Sequence, residues 1–365
     1  MIYTIIIYII CEIIAIGSMF IAKKNEQKSK KRMYIFLILS FLPFALLLIF
    51  RGIKVGQDYE TYAQTYLSFL DNTLDARQEE WWSVGFKAIC YLLSFVFGRN
   101  YYGVFAVINL ATLFLLYKGI WDNSKNPALS LFILFCFCLP FQIFNQFRQM
   151  LAIALTFYAF KYIKKRQFWI YFIFVSMAGL IHTSAFIMLP LYFFVGKELN
   201  IKALGIYSGI ALAVFLGFDW LKELISNTYY GRIYFGSSFD VTELSSIYNL
   251  VIRILMFGVS YYFYRKITKN NKENIYLYNL VFFCTLLQLL VVRSYILARL
   301  TTYLYIYYVL LIPLLLNEFL KKQKHKTLWI TLFLCGMLVY QGVYYQSSSG
   351  AVRAGYDIYT TFFQD

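Results

Sequence analysis

The sequence predicts an all-α protein that crosses a membrane many times. Of its 365 residues, 61% are hydrophobic and 21% are aromatic, which is more apolar surface than a soluble domain of this length can bury. Apolar runs of about 20 residues recur along the whole chain, and a helix of that length crosses a hydrocarbon core of about 30 Å. The sequence lacks the short segments of alternating hydrophobicity that are typical of a transmembrane β-barrel.

The first apolar run, 1–22, has neither a positively charged start nor a small-residue cleavage site, so we interpret it as a retained span rather than a signal peptide. The second span, 33–50, follows a short basic loop. Further spans are expected near 101–118, 127–144, 148–163, 168–181, 183–196, 203–218, 247–264, 275–292, 296–316 and 327–345. Together they give about twelve transmembrane helices in a single integral membrane domain, 1–365.

Clusters of basic residues between the spans predict the orientation, because cytoplasmic loops gather Lys and Arg. Placing every cluster inside leaves two long extracytoplasmic loops, 51–82 and 219–246, and an extracytoplasmic tail, 346–365. Two loops on one side are separated by an even number of crossings, so the short apolar segment 84–97 is predicted to be re-entrant or interfacial. The clusters lie at 23–32, 161–166, 264–272 and 321–326, with weaker ones at Lys118 with Lys125 and at Lys197 with Lys202.

The outer face is rich in arginine, which the rule for cytoplasmic loops does not explain. A net charge of +16 would suggest nucleic-acid binding in a soluble protein, but here it reflects the inner lysines, and no nucleic-acid partner is expected. The planar fork of arginine binds phosphate or carboxylate through two bonds, which suits a polyanionic ligand. The alternative is pairing with outer acids such as Asp71, Glu223 and Asp240. The outer arginines are Arg51, Arg77, Arg99, Arg148, Arg232, Arg253, Arg293, Arg299 and Arg353.

The stretch "FNQFRQ" places polar side chains at an outer turn between two spans. Asn145, Arg148 and Gln149 have the spacing of one helical face. A charge at membrane depth is costly and usually faces a cavity or pathway. The alternative is an interfacial arginine that extends to the lipid head groups, but lipid would not satisfy the two amides. The pattern therefore favours a binding site.

His182, in "AGLIHTSAF", lies at the next outer turn. A histidine there could act as a general acid or base, or donate a hydrogen bond to a sugar or phosphate oxygen. It could equally cap the turn together with Thr183 and Ser184, and the sequence leaves both readings open.

The stretch "RGIKVGQDYETY" opens the first long outer loop with Arg51 at the end of a span. Asp58 and Glu60 could supply a base or bind a divalent metal, although a lone Asp-x-Glu is more typical of a solvated loop. We therefore expect no metal, and no cofactor is indicated. The six cysteines all lie in apolar runs and are interpreted as small buried hydrophobic residues.

Two further groups of residues complete the candidates. Glu79 and Glu80 precede a pair of tryptophans, an arrangement that suits sugar binding but is also ordinary for an aromatic belt. Arg293 and Arg299 flank a late outer turn, and Tyr303 lies one helical turn beyond.

These motifs together resemble the EpsG family, within the wider group of Wzy-type polysaccharide polymerases. The resemblance covers nearly the whole chain. The family often has a proline in the segment that corresponds to "EEWWSVGF", so both glutamates remain candidates for its carboxylate. The matching residues, in order, are Arg51, Gly56, Asp58, Tyr59, Tyr62, Asn145, Arg148, Gln149, Ala178, His182, Ser184, Arg299 and Tyr303.

The resemblance implies a polymerase that joins repeat units carried on undecaprenyl diphosphate at the outer face of the plasma membrane, with an architecture like that of multispanning glycosyltransferases of the GT-C type. Its partners would be the lipid-linked donor and acceptor oligosaccharides, the membrane lipids, and a flippase and a chain-length regulator of the same pathway.

For such a reaction the enzyme needs charge stabilisation at the diphosphate and at most one base at the acceptor hydroxyl. We assign the first task to Arg51, Arg148, Arg293 and Arg299. We assign Asp58 as base or orienter of the acceptor and His182 as hydrogen-bond donor, with Glu79 or Glu80 as the next candidates. Asn145, Gln149 and Tyr303 complete the predicted binding residues.

Two other functions remain open at the level of sequence. A flippase or exporter would place polar residues at several depths of the membrane, and Glu12, midway along the first span, is a residue of that kind. A membrane acyltransferase that modifies the polysaccharide would use a histidine but would leave the outer arginines unexplained.

Overall fold

The structure, a computed structural model, describes residues 2–226, 228, 244–346 and 354–364. These residues are helical apart from turns, connecting segments and one isolated antiparallel bridge between Arg51 and Thr361. The predicted all-α class is confirmed. Much of the predicted loop 219–246 and the first part of the tail 346–365 lie outside the described residues, with Arg232, Asp240 and Arg353 among them.

The helices follow one another with short connections. In chain order they are α1 (Ile2–Asn25), α2 (Lys30–Phe50), α3 (Tyr59–Leu70), α4 (Ala76–Trp81), α5 (Val84–Phe97), α6 (Tyr101–Asn123), α7 (Pro127–Cys136), α8 (Gln142–Asn145), α9 (Phe147–Tyr158), α10 (Phe160–Lys164), α11 (Phe168–Ile181), α12 (Met188–Phe194), α13 (Ile201–Leu216), α14 (Phe218–Ser226), α15 (Leu244–Asn270), α16 (Asn274–Val291), α17 (Ala298–Tyr305), α18 (Tyr308–Leu320) and α19 (Lys326–Gln346). Two 3₁₀ helices, Thr183–Ile187 and Tyr295–Leu297, precede α12 and α17.

Six of the described helices are long and apolar enough to cross a membrane: α1, α2, α6, α15, α16 and α19. Two bent pairs bring the number to eight if each is one span: Ile201–Leu216 with Phe218–Leu224, bent by 65°, and Tyr295–Tyr305 with Tyr308–Leu320, bent by 56°. Either pair is a broken span or a re-entrant loop. The chain is therefore a multi-pass membrane protein.

The count of about twelve spans is not reached by these helices. Where the sequence predicts spans at 127–144, 148–163, 168–181 and 183–196, the helices are short, and a helix such as Pro127–Cys136 rises only about 15 Å. Turns inside the apolar runs, such as the one at Cys138 with a positive φ of 53°, divide them. The segment 84–97 is a single 14-residue helix, and its re-entrant character stays a prediction.

The chain forms two compact units. The first contains 1–161, 169–186 and 319–365, and the second contains 162–168 and 187–318. In the first unit α1 packs along α2, where the Ser40 hydroxyl donates to the carbonyl of Ala15 at 2.6 Å and small buried residues such as Ala15 allow close approach. α6 packs on α2 and α9, and Gly119 makes room for the ring of Phe157.

The second unit is organised around α16, which contacts α13, α15 and α17. The Asn279 amide donates to the carbonyls of Val195 and Lys197, at 2.6 and 2.8 Å, and fixes the chain that follows α12. In the same unit the Arg253 guanidinium lies 2.6 Å from the Cys284 sulfur.

Candidate functional site

Arg51 directly follows the last residue of α2, and its side chain is fully buried in the first unit. Its Nη1 donates to the backbone carbonyl of Phe144 at 2.5 Å, and the guanidinium carbon lies 3.7 Å from the ring centroid of Tyr59. Its Nε and Nη2 are buried and meet no hydrogen-bond acceptor among the described residues. Burial lowers the pKa of Arg51, but arginine titrates so far above neutral pH that the group stays charged.

The loop after Arg51 is held against the C-terminal segment by backbone hydrogen bonds. Gly52 donates to Thr360 at 2.8 Å, Gly56 to Gly355 at 2.7 Å, and Gln57 to Ala354 at 3.0 Å. Gly56 has a φ of +99°, and a Cβ there would lie 1.9 Å from the carbonyl oxygen of Phe144. Glycine therefore permits both the left-handed conformation and the close contact with the end of α8.

Asp58 lies directly after this loop and before α3, and it is half-buried. Its backbone N–H donates to Oδ1 of Asn145 at 2.9 Å. Its side chain does not cap α3. The Arg51–Phe144 and Asp58–Asn145 bonds together fix the loop after α2 to the end of α8, so residues predicted from two distant motifs meet at one place.

The prediction that Asn145, Arg148 and Gln149 share one continuous helical face is wrong. α8 ends at Asn145, Gln146 has non-helical backbone angles, and α9 begins at Phe147. Because of this break, Asn145 bonds Asp58 of the loop after α2, while Arg148 and Gln149 lie in the first turn of α9. All three side chains are nonetheless buried, being 8%, 8% and 4% exposed.

Arg148 lies among aromatic rings. Its guanidinium carbon is 6.0 Å from the ring centroids of both Tyr62 and Phe86, within the range of cation–π attraction. Phe147 packs against Tyr62 with centroids 4.2 Å apart. An arginine that reaches for lipid head groups keeps its charged end exposed, so burial disfavours that alternative.

His182 follows α11 and begins the turn into the 3₁₀ helix. Its Nδ1 lies 2.6 Å from Oγ of Ser184, so the local turn contact expected from the sequence is present. The Ser83 hydroxyl donates to the carbonyl of Ile181, and a Cβ on Gly85 would lie 2.7 Å from the carbonyl carbon of Leu180. This close approach sets the start of α5 against the His182 turn, and Phe86 in α5 connects it to Arg148.

Glu79 has a different environment. Its carboxylate is exposed and forms an ion pair with Lys87 of α5. The side chain of Glu80 lies outside the described part of the chain. Nearby, the buried Trp82 packs edge-on against Phe86, with centroids 5.1 Å apart.

The remaining predicted residues belong to the second unit. Arg293 is paired with Asp219 at 2.5 Å and lies over the ring of Phe215. Arg299 is exposed at the start of α17, and Tyr303 is fully buried in the same helix. Pairing with acids, the alternative raised by the sequence, holds for Arg293 and, in the first unit, for Arg99 with Asp71 at 2.5 Å. That pair lowers the pKa of Asp71, mainly through the hydrogen bond from Arg99.

Sequence reasoning missed the role of the segment 354–364 in building the site. Gly355 has a φ of +72°, and a Cβ there would lie 2.8 Å from the backbone nitrogen of Gln57. Tyr356 is fully buried and its carbonyl accepts from the Tyr8 hydroxyl at 2.9 Å. The signal in the sequence was the glycine of "AGYD", which repeats the Gly-x-Asp of the first loop.

No metal centre is visible in the described residues, since they contain no group of three or more His, Cys, Asp or Glu placed to hold an ion. The described residues instead bring together two buried guanidiniums, side-chain amides and the half-buried Asp58, framed by aromatic rings. The His182 turn packs against the start of α5, which carries Phe86. Guanidiniums and amides bind phosphate and sugar oxygens, and the carboxylate can accept a proton.

Comparison with protein families gives a match, over residues 33–358, to the model described as the EpsG family. The matched range contains the loop that follows Arg51, the break at Gln146, the His182 turn and the late arginines. Neither the comparison with curated proteins nor that with solved structures gives a match.

Proposed function

The chain belongs to the EpsG family, a group of membrane proteins of exopolysaccharide biosynthesis, and from that premise we propose that it polymerises repeat units carried on undecaprenyl diphosphate at the extracytoplasmic face of the plasma membrane. One observation carries the proposal. Arg51 and Asp58 of the first outer loop are bonded to Phe144 and Asn145, directly before the turn that carries Arg148. The place where these two segments meet thus carries two buried guanidiniums, those of Arg51 and Arg148, and the carboxylate of Asp58.

In the proposed reaction a sugar hydroxyl of the acceptor attacks the anomeric carbon of the donor. A glycosidic C–O bond forms, the C–O bond to the diphosphate breaks, and undecaprenyl diphosphate leaves with the electron pair. The hydroxyl proton passes to a base, for which Asp58 is the proposed residue. Arg51 and Arg148 stabilise the negative charge that develops on the leaving diphosphate.

The other residues have supporting roles in this proposal. The amides of Asn145 and Gln149 and the imidazole of His182 hydrogen-bond sugar or phosphate oxygens. Arg299 and Tyr303 stay proposed binding residues within the second unit, where an anion that binds Arg293 must compete with Asp219. Glu79 is assigned a lesser role, because its carboxylate already pairs with Lys87.

The finer topology is part of the same proposal: about twelve spans, with the site and the tail outside and the lysine-rich loops inside. A flippase and a chain-length regulator of the same pathway are its proposed partners.

A flippase remains the second candidate because of one observation. Glu12, midway along α1, is only 8% exposed, and its Oε1 accepts from the amide of Gln341 in α19 at 2.8 Å. A buried carboxyl at the middle of a span is typical of transport pathways. The Glu12–Gln341 pair also has a structural use, since it ties α19 to α1.

Analysis of lipid-linked glycans in a deletion strain distinguishes the functions. For a polymerase, single repeat units accumulate on the outer leaflet and the polymer disappears. Units trapped on the inner leaflet would favour the flippase, and full-length chains lacking a modification would favour an acyltransferase. Complementation with Arg51→Lys and with the matched control Arg99→Lys tests whether the buried guanidinium is required.

A further inference from the structure

A groove of about 500 Å³ runs between α1 and α2 in the first unit. α1 contributes Cys11 and Ile14, and most of the other lining residues belong to α2, on which α1 packs. The lining residues are Cys11, Ile14, Leu39, Leu42, Pro43, Leu46, Leu47, Phe50, Tyr359 and Thr361.

The groove is lined almost entirely by apolar side-chain atoms. Its few polar groups bond within the protein. The Tyr359 hydroxyl donates to the carbonyl of Leu47 at 2.9 Å, the Cys11 thiol faces the carbonyl of Pro43 at 3.9 Å, and the Thr361 hydroxyl donates to Oε1 of Gln364 at 3.2 Å. Both helices are long and apolar enough to span the membrane. The groove therefore suits an alkyl or isoprenoid chain and offers no partner to a sugar.

The length and direction of the groove connect it to the candidate site. From Leu39 to Phe50 the helix α2 rises about 16 Å, roughly half of a hydrocarbon core of about 30 Å. The groove thus runs from mid-membrane to the end of α2, and Arg51 is the next residue. At that end Thr361 lines the groove and also forms the bridge with Arg51.

We propose that this groove holds the polyprenyl tail of a lipid-diphosphate substrate, an inference that rests on the proposed function. The occupant must present its head group at the segment that carries Arg51, whose buried Nε and Nη2 meet no acceptor among the described residues. A chain with an anionic head group at its end meets both conditions. The groove therefore guides the substrate to the reaction site along the surface of α1 and α2.

Binding is tested first, without polymerisation. Purified protein in phospholipid nanodiscs is photo-crosslinked with polyprenyl diphosphate that carries a diazirine in its tail, and the labelled peptides are mapped. Label is expected on 11–14 and 39–50, and excess unlabelled polyprenyl diphosphate should remove it. Label elsewhere, or label that extra phospholipid removes equally well, overturns the proposal and makes the groove an ordinary lipid contact.

Chain-length dependence is tested next, with substrates that carry a full polyprenyl tail or a shortened one. Leu42→Trp fills the groove, while Ile38→Trp changes a residue of the same helix that is 62% exposed and outside the groove. Wild type and Ile38→Trp are expected to favour the long tail in kcat/KM by about tenfold, which corresponds to about 1.4 kcal/mol. In Leu42→Trp that preference should disappear while the short substrate is used as before.

The two tests separate the possible failures. If Leu42→Trp keeps the preference for the long tail, the groove is not the tail site. If the tail cross-links to the groove but the wild-type protein forms no polymer from either substrate, the groove is confirmed as the tail site and the polymerase proposal is wrong.

Discussion

The backbone N–H of Asp58 donates to the side-chain oxygen of Asn145, 2.9 Å away, across 87 residues of sequence. This bond fixes the position of the Asp58 backbone relative to the turn that carries Arg148. Asparagine can hold Asp58 without adding a charge beside it.

The first prediction is that Asn145→Ala strongly reduces polymer formation while the protein level in the membrane holds, because Asp58 loses the bond that fixes its backbone to the end of α8. Asn100→Ala is the matched control, since Asn100 also accepts from a backbone N–H, that of Gly103, but at an exposed helix start. Immunoblots and polymer yield from complemented cells measure both. Equal effects of the two variants would show that the Asn145 bond has only a local structural use.

Gly56→Ala is expected to destabilise the protein and abolish polymer formation. The added Cβ would lie 1.9 Å from the carbonyl oxygen of Phe144, at a φ of +99°. The backbone conformation alone costs about 1–3 kcal/mol for a non-glycine residue, and the clash adds to it. Thermal unfolding in detergent measures the change.

The control for that variant is Gly17→Ala, where an added Cβ in α1 meets nothing within 4 Å. It should unfold at or slightly above the wild-type temperature, since alanine is favoured over glycine in a helix by about 0.5–1 kcal/mol. A Gly56→Ala protein as stable and active as the control would mean that the loop does not require glycine.

Features of this site that depend on hydropathy or on motifs could be predicted from the sequence, whereas those that depend on tertiary contacts could not. The membrane class follows from hydropathy. The motifs single out Arg51, Asp58, Asn145 and Arg148, and the structure places those four residues in one unit. The helix break at Gln146 could not be predicted from spacing, because polar residues three and four positions apart give the same sequence pattern whether the helix is continuous or broken.

Sequence reasoning also missed the role of Gly355 and Thr361. Backbone hydrogen bonds between segments about 300 residues apart leave no periodic pattern, and the glycine of "AGYD" shows its positive φ only once its partner is known. The long helices do not reach the predicted number of spans for a related reason. Hydropathy reports that a segment is buried in an apolar environment, but not whether its helix runs unbroken through the membrane.

Arg148→Lys is predicted to lower the rate of polymer formation by about tenfold or more, equivalent to about 1.4 kcal/mol of transition-state stabilisation. Lysine keeps the charge but loses both the planar fork and the contact with the rings of Tyr62 and Phe86. Arg99→Lys, at an exposed pair with Asp71, should leave the rate unchanged. If Arg148→Lys gives polymer of wild-type chain length, Arg148 contributes only its positive charge and not the geometry of its guanidinium.

Topology gives a fourth prediction. With the exposed Cys335 replaced by serine, Asp71→Cys should react with a membrane-impermeant maleimide in intact cells, while Lys28→Cys and Asn270→Cys react only after permeabilisation. All three positions are exposed, so accessibility within the protein is matched. The predicted outer position 238 lies outside the described residues. The reverse labelling pattern would place the candidate site on the cytoplasmic side and remove the proposed function.

The last prediction separates the roles of Asp58 and His182. A carboxylate base works only when deprotonated, so the wild-type rate should fall as pH is lowered through the titration of its base and level off above it. Asp58→Asn cannot accept the proton, so turnover with purified lipid-linked repeat units should be nearly lost at every pH. His182→Gln keeps a hydrogen-bonding side chain beside Ser184 but removes the imidazole, so KM should rise while the acid limb of the profile is retained. If Asp58→Asn turns over like wild type and His182→Gln is inactive and loses that limb, the imidazole is the base and the carboxylate only orients the loop.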